Sequence, residues 1–165
     1  MHTFSTTMSN SVRWIGIFTV VIVVIAVAFV MDRDGPATTG VPLAGILTLA
    51  LALTYGISPL RYEMGGGRLV IRRQVGRTTV ELRGAIIRAD SEAFKGMIRV
   101  FGNGGFFAFD GLFYSRHLGM VKVAARHRDH GVVIQPPGGR KLVVSPDDPQ
   151  AFIAAAVGEG AVLSN

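Results

Sequence analysis

The residues best suited to metal or acid–base chemistry form one short cluster, His127-Arg128-Asp129-His130. Two imidazoles and a carboxylate are ligand types that a transition metal accepts, but a stable site needs a further ligand. Arg126 and Arg128 make the local field positive, which disfavours a bound cation. The chain has no cysteine, so thiolate ligands and disulfide bonds are excluded. The sequence therefore predicts a solvated hairpin turn here and no metal site.

A glycine-rich segment, Gly102-Asn103-Gly104-Gly105, is the second place where chemistry is conceivable. A nucleotide-binding loop ends in Gly-Lys-Ser or Gly-Lys-Thr and opens a helix, and this segment has neither feature. It is typical of a tight turn between strands. The four histidines also lack the serine and aspartate context of a nucleophilic triad. We therefore expect no enzymatic activity and no cofactor.

Two uncharged apolar runs of 18 residues each, Trp14–Met31 and Val41–Ser58, dominate the N-terminal part. As a helix, such a run would extend about 27 Å, close to the hydrocarbon thickness of a bilayer. The connection Asp32–Gly40 is short enough to make the two runs antiparallel neighbours. We therefore expect a two-helix transmembrane hairpin over residues 12–60, preceded by a cytoplasmic tail of residues 1–11.

The positive charges near the ends of the two runs predict their orientation, because Lys and Arg favour the cytoplasmic side. The connecting loop has one arginine offset by two aspartates, whereas Arg13 and a series of arginines from Arg61 onward flank the outer ends. Both termini are therefore expected in the cytoplasm. A cleaved signal peptide is the alternative, since Ala26-Val27-Ala28 resembles a cleavage site. The apolar run continues to Met31, which argues against cleavage.

From Arg61 onward, short β-rich runs alternate with glycine turns. Ser145 is the expected N-cap of one amphipathic helix that buries Phe152. A mostly β barrel over residues 61–157, capped by this helix, would bury one face of its sheet and protect the sheet edges. Residues 158–165 are expected to form a flexible tail. Strands are predicted near Leu60–Met64, Arg68–Gln74, Thr78–Leu82, Ala85–Asp90, Met97–Gly102, Gly105–Phe109, Met120–Ala125, Val132–Gln135 and Lys141–Val144.

This order of elements and several local strings resemble the bacterial pleckstrin-homology-like (PH-like) domain family in its membrane-attached form. The resemblance covers roughly residues 60–157 and implies a PH-like barrel with no catalytic residues. Two preceding membrane spans are a common companion of such domains, which implies a multi-pass protein of the bacterial inner (cytoplasmic) membrane. The strings are Tyr62-Glu63, Leu69-Val70-Ile71-Arg72, Gly102-Asn103-Gly104-Gly105-Phe106-Phe107, Gly111-Leu112-Phe113, Leu118-Gly119, Val132-Val133-Ile134, Ser145-Pro146-Asp147-Asp148-Pro149 and Phe152-Ile153.

The net charge of +6 lies entirely in residues 61–165, which hold 15 Lys/Arg and 9 Asp/Glu. A basic domain beside a membrane suits an anionic leaflet, although the same charges could serve only topology and solubility. A tethered domain of this modest charge is a poor candidate for binding nucleic acid. The residues expected near lipid headgroups are Arg68, Arg72, Arg73 and Arg77. Phe106 and Phe113 are a candidate interaction patch if they are exposed.

The expected function is that of a non-enzymatic binding or scaffold module, anchored in the inner membrane and facing the cytoplasm. It would recognise a protein partner, by strand addition or loop contacts, or the anionic lipid surface. The alternative is an accessory subunit of a membrane enzyme or transporter, in which the helix hairpin is the functional interface. No charged residue lies inside either apolar run, which argues against a proton or ion path.

Overall fold

The computed structural model describes residues 1–34, 40–105 and 107–164. Two helices, α1 and α2, follow a short first strand, and a third helix, α3, comes after a long series of strands. The helices are α1 (Asn10–Asp34), α2 (Val41–Gly56) and α3 (Pro149–Gly158). The strands are β1 (His2–Ser5), β2 (Pro59–Gly65), β3 (Arg68–Arg73), β4 (Arg77–Glu81), β5 (Ile86–Asp90), β6 (Ile98–Gly104), β7 (Phe109–Ser115), β8 (Gly119–Ala125), β9 (Gly131–Gln135), β10 (Leu142–Val144) and β11 (Val162–Leu163).

The strands form two sheets. The first sheet is an antiparallel set in the order β1-β2-β3-β4, and the second has the order β11-β5-β9-β10-β8-β7-β6. In the second sheet β10 pairs in parallel with β8, and β11 in parallel with β5. This arrangement confirms the prediction of a mostly β domain with a C-terminal helix.

Two apolar cores lie on the two faces of the second sheet. The inner core joins both sheets to α3 and contains Tyr62, Ile71, Ile134 and Phe152. The outer core covers the other face and includes Phe113. Because apolar side chains cover both faces of this sheet, β9 and β10 are mostly apolar along their length and do not alternate between apolar and polar residues.

Strand β1 is the main departure from the expected organisation. The sequence predicted a tail over residues 1–11, but His2–Ser5 pairs antiparallel with β2. Phe4 packs against the inner core, and the Oγ1 of Thr6 donates a hydrogen bond to the carbonyl oxygen of Ser145 at 2.6 Å. The tail prediction is therefore wrong for these residues, because one apolar side chain in a short polar segment is a weak strand signal that long-range pairing overrides.

Helices α1 and α2 contact each other and expose most of their apolar side chains. Residues Asn10–Asp32 of α1 are long and apolar enough to cross a membrane, with a mean hydropathy of 2.9. A signal sequence near an N-terminus has the same properties. Helix α2 has 16 residues, or about 24 Å, and ends at Gly56. The second span over Val41–Ser58, and with it the two-span hairpin, stays a prediction.

Helix α3 starts later than the sequence predicted. Its N-cap is Asp148, whose carboxylate accepts a hydrogen bond from the amide of Ala151 at 2.9 Å, and Pro149 occupies the first turn. The expected cap, Ser145, is instead buried, and its Oγ accepts a hydrogen bond from the amide of Arg126 at 2.9 Å. Phe152, as expected, is fully buried on the inner face of α3.

Two further predictions differ from the structure. Gly105–Phe109 was expected to be a strand, but β6 runs on to Gly104 and β7 begins only at Phe109. Phe107, between them, has a φ of 59°, which lies in the left-handed region and outside the β region of regular strands. Residues 158–165 were expected to be a flexible tail, but Val162–Leu163 pairs with β5, which gives the chain end a place in the second sheet.

Candidate functional site

The turn between β3 and β4 lies directly against the end of α2. The amide of Val75 donates a hydrogen bond to the carbonyl oxygen of Gly56 at 2.9 Å. The side-chain Nε2 of Gln74 donates a hydrogen bond to the hydroxyl of Tyr55 at 3.3 Å. Gly76 allows this tight turn because it adopts a φ of 86°. The side chain of Val75 is left 75% exposed beside the helix end.

The four arginines predicted at the lipid surface lie on this β3–β4 hairpin, but their environments differ. Arg68 is exposed and pairs with Glu81 at 3.3 Å across the two strands. Arg72 pairs with the buried carboxylate of Glu63 at 2.8 Å. Arg77 is exposed, lies opposite Arg72, and has no ion-pair partner within residues 1–34, 40–105 and 107–164. Arg77 is thus the most available of the four cations.

Arg73 is the exception, because its guanidinium points inward. Its Nη1 donates hydrogen bonds to the carbonyl oxygen of Ile57, at 2.7 Å, and to the carboxylate of Asp110. Only 17% of the Arg73 side chain is exposed. This arginine therefore ties three elements together, namely the exit from α2, the β3–β4 hairpin and strand β7.

Asp110 is the most strongly perturbed carboxylate of the domain. Burial raises its pKa to about 6, and the neighbouring Arg73 opposes that increase. Asp110 is also one of the residues that line a cleft between the two sheets. A raised pKa and a cleft are common at active sites, but an ion pair that joins structural elements produces the same shift. No second acid, base or nucleophile lies within hydrogen-bonding distance of Asp110 in the described residues.

The cleft itself has a volume of about 580 Å³ and lies between β4 and the β7–β8 part of the second sheet. Its floor is apolar, with Ile71 and Leu142 among the lining residues. Lys122 and Arg140 line it as well, and both are exposed. Phe101, on β6, adds an aromatic ring that is 78% exposed. None of these five residues was predicted from the sequence as part of a site.

The predicted aromatic patch depended on exposure of its residues, and Phe113 does not meet that condition. Phe113 is only 1% exposed and belongs to the outer core, because it points to the covered face of the second sheet. Phe106 lies outside the described residues. The neighbouring Phe107 packs edge-on against Tyr55, with ring centroids 5.5 Å apart, and a Cβ on Gly16 would come within 3.2 Å of its ring. The aromatic residue at this turn therefore contacts both helices.

The histidine cluster is not the solvated hairpin turn that the sequence predicted. It connects β8 to β9, which are separated in the sheet by β10. His127 is only 5% exposed, and its two ring nitrogens lie 3.8 Å from carboxylates of Asp129 and Asp147. Burial lowers the pKa of His127, against the opposing effect of these carboxylates. Across the described ranges, no group of three or more such side chains has the geometry of a metal site.

A comparison with known protein families assigns the strand-rich part of the chain to one of them. The sequence profile described as Bacterial PH domain matches residues 60–159. The chain belongs to the bacterial PH domain family. No curated protein matches the chain, and no solved structure matches it. PH domains are generally non-catalytic binding modules.

The span that matches the family profile does not coincide with the folded domain in the structure. It begins in β2 and ends just after α3, so both helices α1 and α2 lie outside it. Strands β1 and β11 also lie outside the match, yet each pairs with a strand of the PH domain. The folded unit of this PH domain is therefore larger than the matched sequence, and it contains residues from both sides of the helix pair.

Proposed function

We propose that this chain is a non-enzymatic PH module, anchored in the bacterial inner membrane by α1 and α2, that binds a partner at the cytoplasmic face. One observation carries the proposal: β1 precedes the helix pair, β2 follows it, and the two strands are hydrogen-bonded neighbours. Two paired strands must be in the same compartment. If α1 crosses the membrane, the chain must cross back before β2, and α2 is the only described helix between them.

The residues at the domain-side ends of the two helices support this arrangement. Trp14 near the start of α1 is 62% exposed, and Tyr55 near the end of α2 is 46% exposed. Such rings are enriched at membrane interfaces, where an apolar body meets water. Helix α2 is shorter than the average hydrocarbon thickness by about one turn, a mismatch that local thinning of the bilayer accommodates at modest cost.

The same pairing argues against a cleaved signal peptide. Cleavage after Ala28 would remove β1 and leave the edge of β2 without its partner. It would also remove Phe4 from the inner core and Val12 from the outer core. The domain would lose contacts on both faces, so retention of the N-terminal segment is favoured.

In this arrangement the β3–β4 hairpin lies at the headgroup layer. Its turn contacts the end of α2, its tip exposes Val75, and Arg72 and Arg77 flank the tip. An apolar tip between cations suits an anionic leaflet, where each arginine contributes about 1 kcal/mol within a Debye length. This attraction is generic. The rest of the domain surface is then available to a protein partner.

Cysteine labelling tests the topology directly, because the chain has no cysteine of its own. Single variants Ala37→Cys, between the helices, and Glu92→Cys, on the exposed β5–β6 connection, are treated in intact spheroplasts with a membrane-impermeant maleimide. We expect labelling of Ala37→Cys at once and of Glu92→Cys only after permeabilisation. The unsubstituted chain is the control for background labelling.

The opposite patterns would reject the proposal. Labelling of Glu92→Cys in intact spheroplasts would place the PH domain on the outer side. Protection of both cysteines until permeabilisation would show that neither helix crosses the membrane. A mass spectrum that lacks residues 1–28 would show that the first helix is a cleaved signal.

A further inference from the structure

Strand β4 has a free edge beside the inter-sheet cleft. It is the last strand of the first sheet, and β3 is its only neighbour among the described strands. The amide of Arg73 donates to the carbonyl oxygen of Gly76 at 3.2 Å, and that of Leu82 to Gly67 at 2.8 Å. In an antiparallel ladder, hydrogen-bonded pairs alternate with pairs that are not hydrogen-bonded. The bonds at the two ends of the hairpin therefore determine which pairs between them are hydrogen-bonded.

Between those two bonds, Thr78 and Val80 are the β4 residues that hydrogen-bond to β3. The main-chain N–H and C=O groups of Arg77, Thr79 and Glu81 therefore point away from β3. No backbone or side-chain partner for these groups exists in the described ranges. Such a row of unpaired donors and acceptors is a template for another strand.

The cleft beside this edge has a volume of about 580 Å³, and charged side chains are among its lining. Thr79 and Glu81 line it on one side, and Lys122 and Arg140 line it on the other. Neither of these two cations has an ion-pair partner in the part of the chain that the structure describes. Leu112 and the exposed ring of Phe101 line the adjoining apolar part.

We propose that the edge of β4 binds an extended segment of a partner protein, which adds to the first sheet as a fifth strand and places an acidic side chain against Lys122 and Arg140. The main-chain groups of Arg77, Thr79 and Glu81 supply the hydrogen bonds, and Phe101 receives an apolar side chain of the segment. This inference names the partner class and the site of the binding function proposed above, and it rests on that function.

Two other occupants fit the cleft less well. A second copy of β4 would direct its Thr78 and Val80 toward the cleft, and neither carries the negative charge that Lys122 and Arg140 require. A lipid headgroup would pair with those cations but would leave unsatisfied the row of main-chain donors and acceptors on β4. The free main-chain edge therefore favours a peptide.

The test uses the full chain in nanodiscs of phosphatidylcholine, a neutral lipid that removes headgroup attraction. A phage-displayed library of random short peptides is selected on these discs, after depletion on empty discs. Binding of the enriched peptides is then measured by fluorescence anisotropy. We expect acidic residues interspersed with apolar ones, and affinity that falls about tenfold or more when Lys122 and Arg140 are both changed to glutamate.

The decisive variant is Thr79→Pro, with Thr79→Val as its matched control. Proline removes an N–H that faces the cleft and not β3, so the β3–β4 ladder is retained. We expect Thr79→Pro to weaken binding about tenfold or more and Thr79→Val to leave it within about twofold. N-methylation of single peptide amides gives the same information without altering the protein. In an added strand only every second N–H faces β4, so methylation should abolish binding at alternate peptide positions only.

Several results would overturn the inference. These are a library with no enrichment over empty discs, peptides that bind Thr79→Pro as tightly as the unsubstituted chain, and peptides without acidic preference. Disulfide cross-linking of Thr79→Cys chains to each other in native membranes would assign the edge to a second copy. Each of these outcomes is independent of the labelling pattern of Ala37→Cys and Glu92→Cys, so failure here is distinguishable from failure of the anchoring proposal.

Discussion

Phe4 lies directly opposite Tyr62 in the antiparallel pairing of β1 with β2, although the whole helix pair separates them along the chain. Both rings also pack edge-on against Phe152 of α3, with centroid distances of 5.2 Å and 5.7 Å. The Tyr62 hydroxyl donates to the carbonyl oxygen of Ala124 at 2.7 Å, and burial raises its pKa to about 12, which keeps it a donor. One aromatic cluster thus joins the segments before and after the helices to both sheets and α3.

This relationship predicts that Phe4 contributes to the stability of the PH domain. Phe4→Ala should lower the free energy of unfolding by roughly 2 kcal/mol, because the ring is half-buried against the inner core. It should also speed hydrogen exchange of the β2 amides that bond to β1. Thr3→Ala, on the exposed face of the same strand, is the matched control and should change stability by less than about 0.5 kcal/mol. Equal effects of the two substitutions would show that β1 is not docked.

Phe152 should be among the most sensitive positions of the domain. Its side chain is fully buried, so Phe152→Ala should cost about 3–5 kcal/mol, enough to unfold a marginal domain. Phe101→Ala removes the same ring from a position that is 78% exposed and should have little effect on stability. Denaturant unfolding of the chain in micelles measures both. An unchanged unfolding midpoint for Phe152→Ala would show that α3 does not complete the core.

Arg73, which points inward, and Arg77, which is exposed, should separate a structural role from a surface role. Arg73→Gln leaves the buried carboxylate of Asp110 without its cation, so it should destabilise the domain by roughly 2 kcal/mol or more. Arg77→Gln removes an exposed cation without an ion-pair partner in the described residues and should leave the unfolding midpoint nearly unchanged. The same micelle unfolding experiment compares the two, and the reverse order would contradict these assignments.

Lipid contact at the hairpin tip should depend on Arg77. An environment-sensitive dye on Val75→Cys is compared in nanodiscs with anionic and with neutral lipid. We expect a more apolar environment in anionic discs, and a smaller difference in the Arg77→Gln background, since each arginine contributes about 1 kcal/mol near such a surface. High salt should reduce the difference further. A dye signal that ignores lipid charge, salt and Arg77 would leave the arginines as topology determinants only.

Asp110 should titrate above the ordinary range of an aspartate, at a pH of about 6. Its pKa is raised to about 6 by burial, so the folded state binds a proton more tightly than the unfolded chain does. The stabilisation from protonated Asp110 is therefore present at low pH and is lost as the pH rises through about 6. Carbon-13 NMR of the carboxyl carbons, with Asp110→Asn to assign the signal, measures the midpoint. A midpoint in the ordinary aspartate range would show that Arg73 outweighs burial.

Asp147 provides an internal comparison for this titration. Burial alone would raise the pKa of its carboxyl, but hydrogen bonds from Ser5 and Thr7 outweigh that effect and lower it. The amide of Thr7 donates to its Oδ1 at 2.7 Å. Asp147 should therefore titrate below the usual range while Asp110 titrates above it. Removal of residues 1–7 should move the Asp147 midpoint upward, because Ser5 is the last residue of β1 and Thr7 follows it.

Local patterns in the sequence were sufficient to predict the fold class of the domain, a mostly β unit with a C-terminal helix. Alternating β-branched runs and glycine turns predicted most strands of the PH domain to within one or two residues, and the apolar face with Phe152 predicted α3. These elements are specified by neighbours along the chain, through side-chain periodicity and turn conformation. The apolar run before Met31 was likewise sufficient to predict a helix long enough to cross a membrane.

The tertiary structure alone decided which residues lie together. The pairing of His2–Ser5 with β2, the inward turn of Arg73 toward Asp110, and the burial of Phe113 and His127 depend on contacts between distant segments. The free edge of β4 beside Lys122 is of the same kind. The sequence of a strand does not show whether a neighbouring strand covers its edge. The alternation of side chains depends on which face of the strand is buried, whereas pairing at an edge involves main-chain groups that every residue type carries.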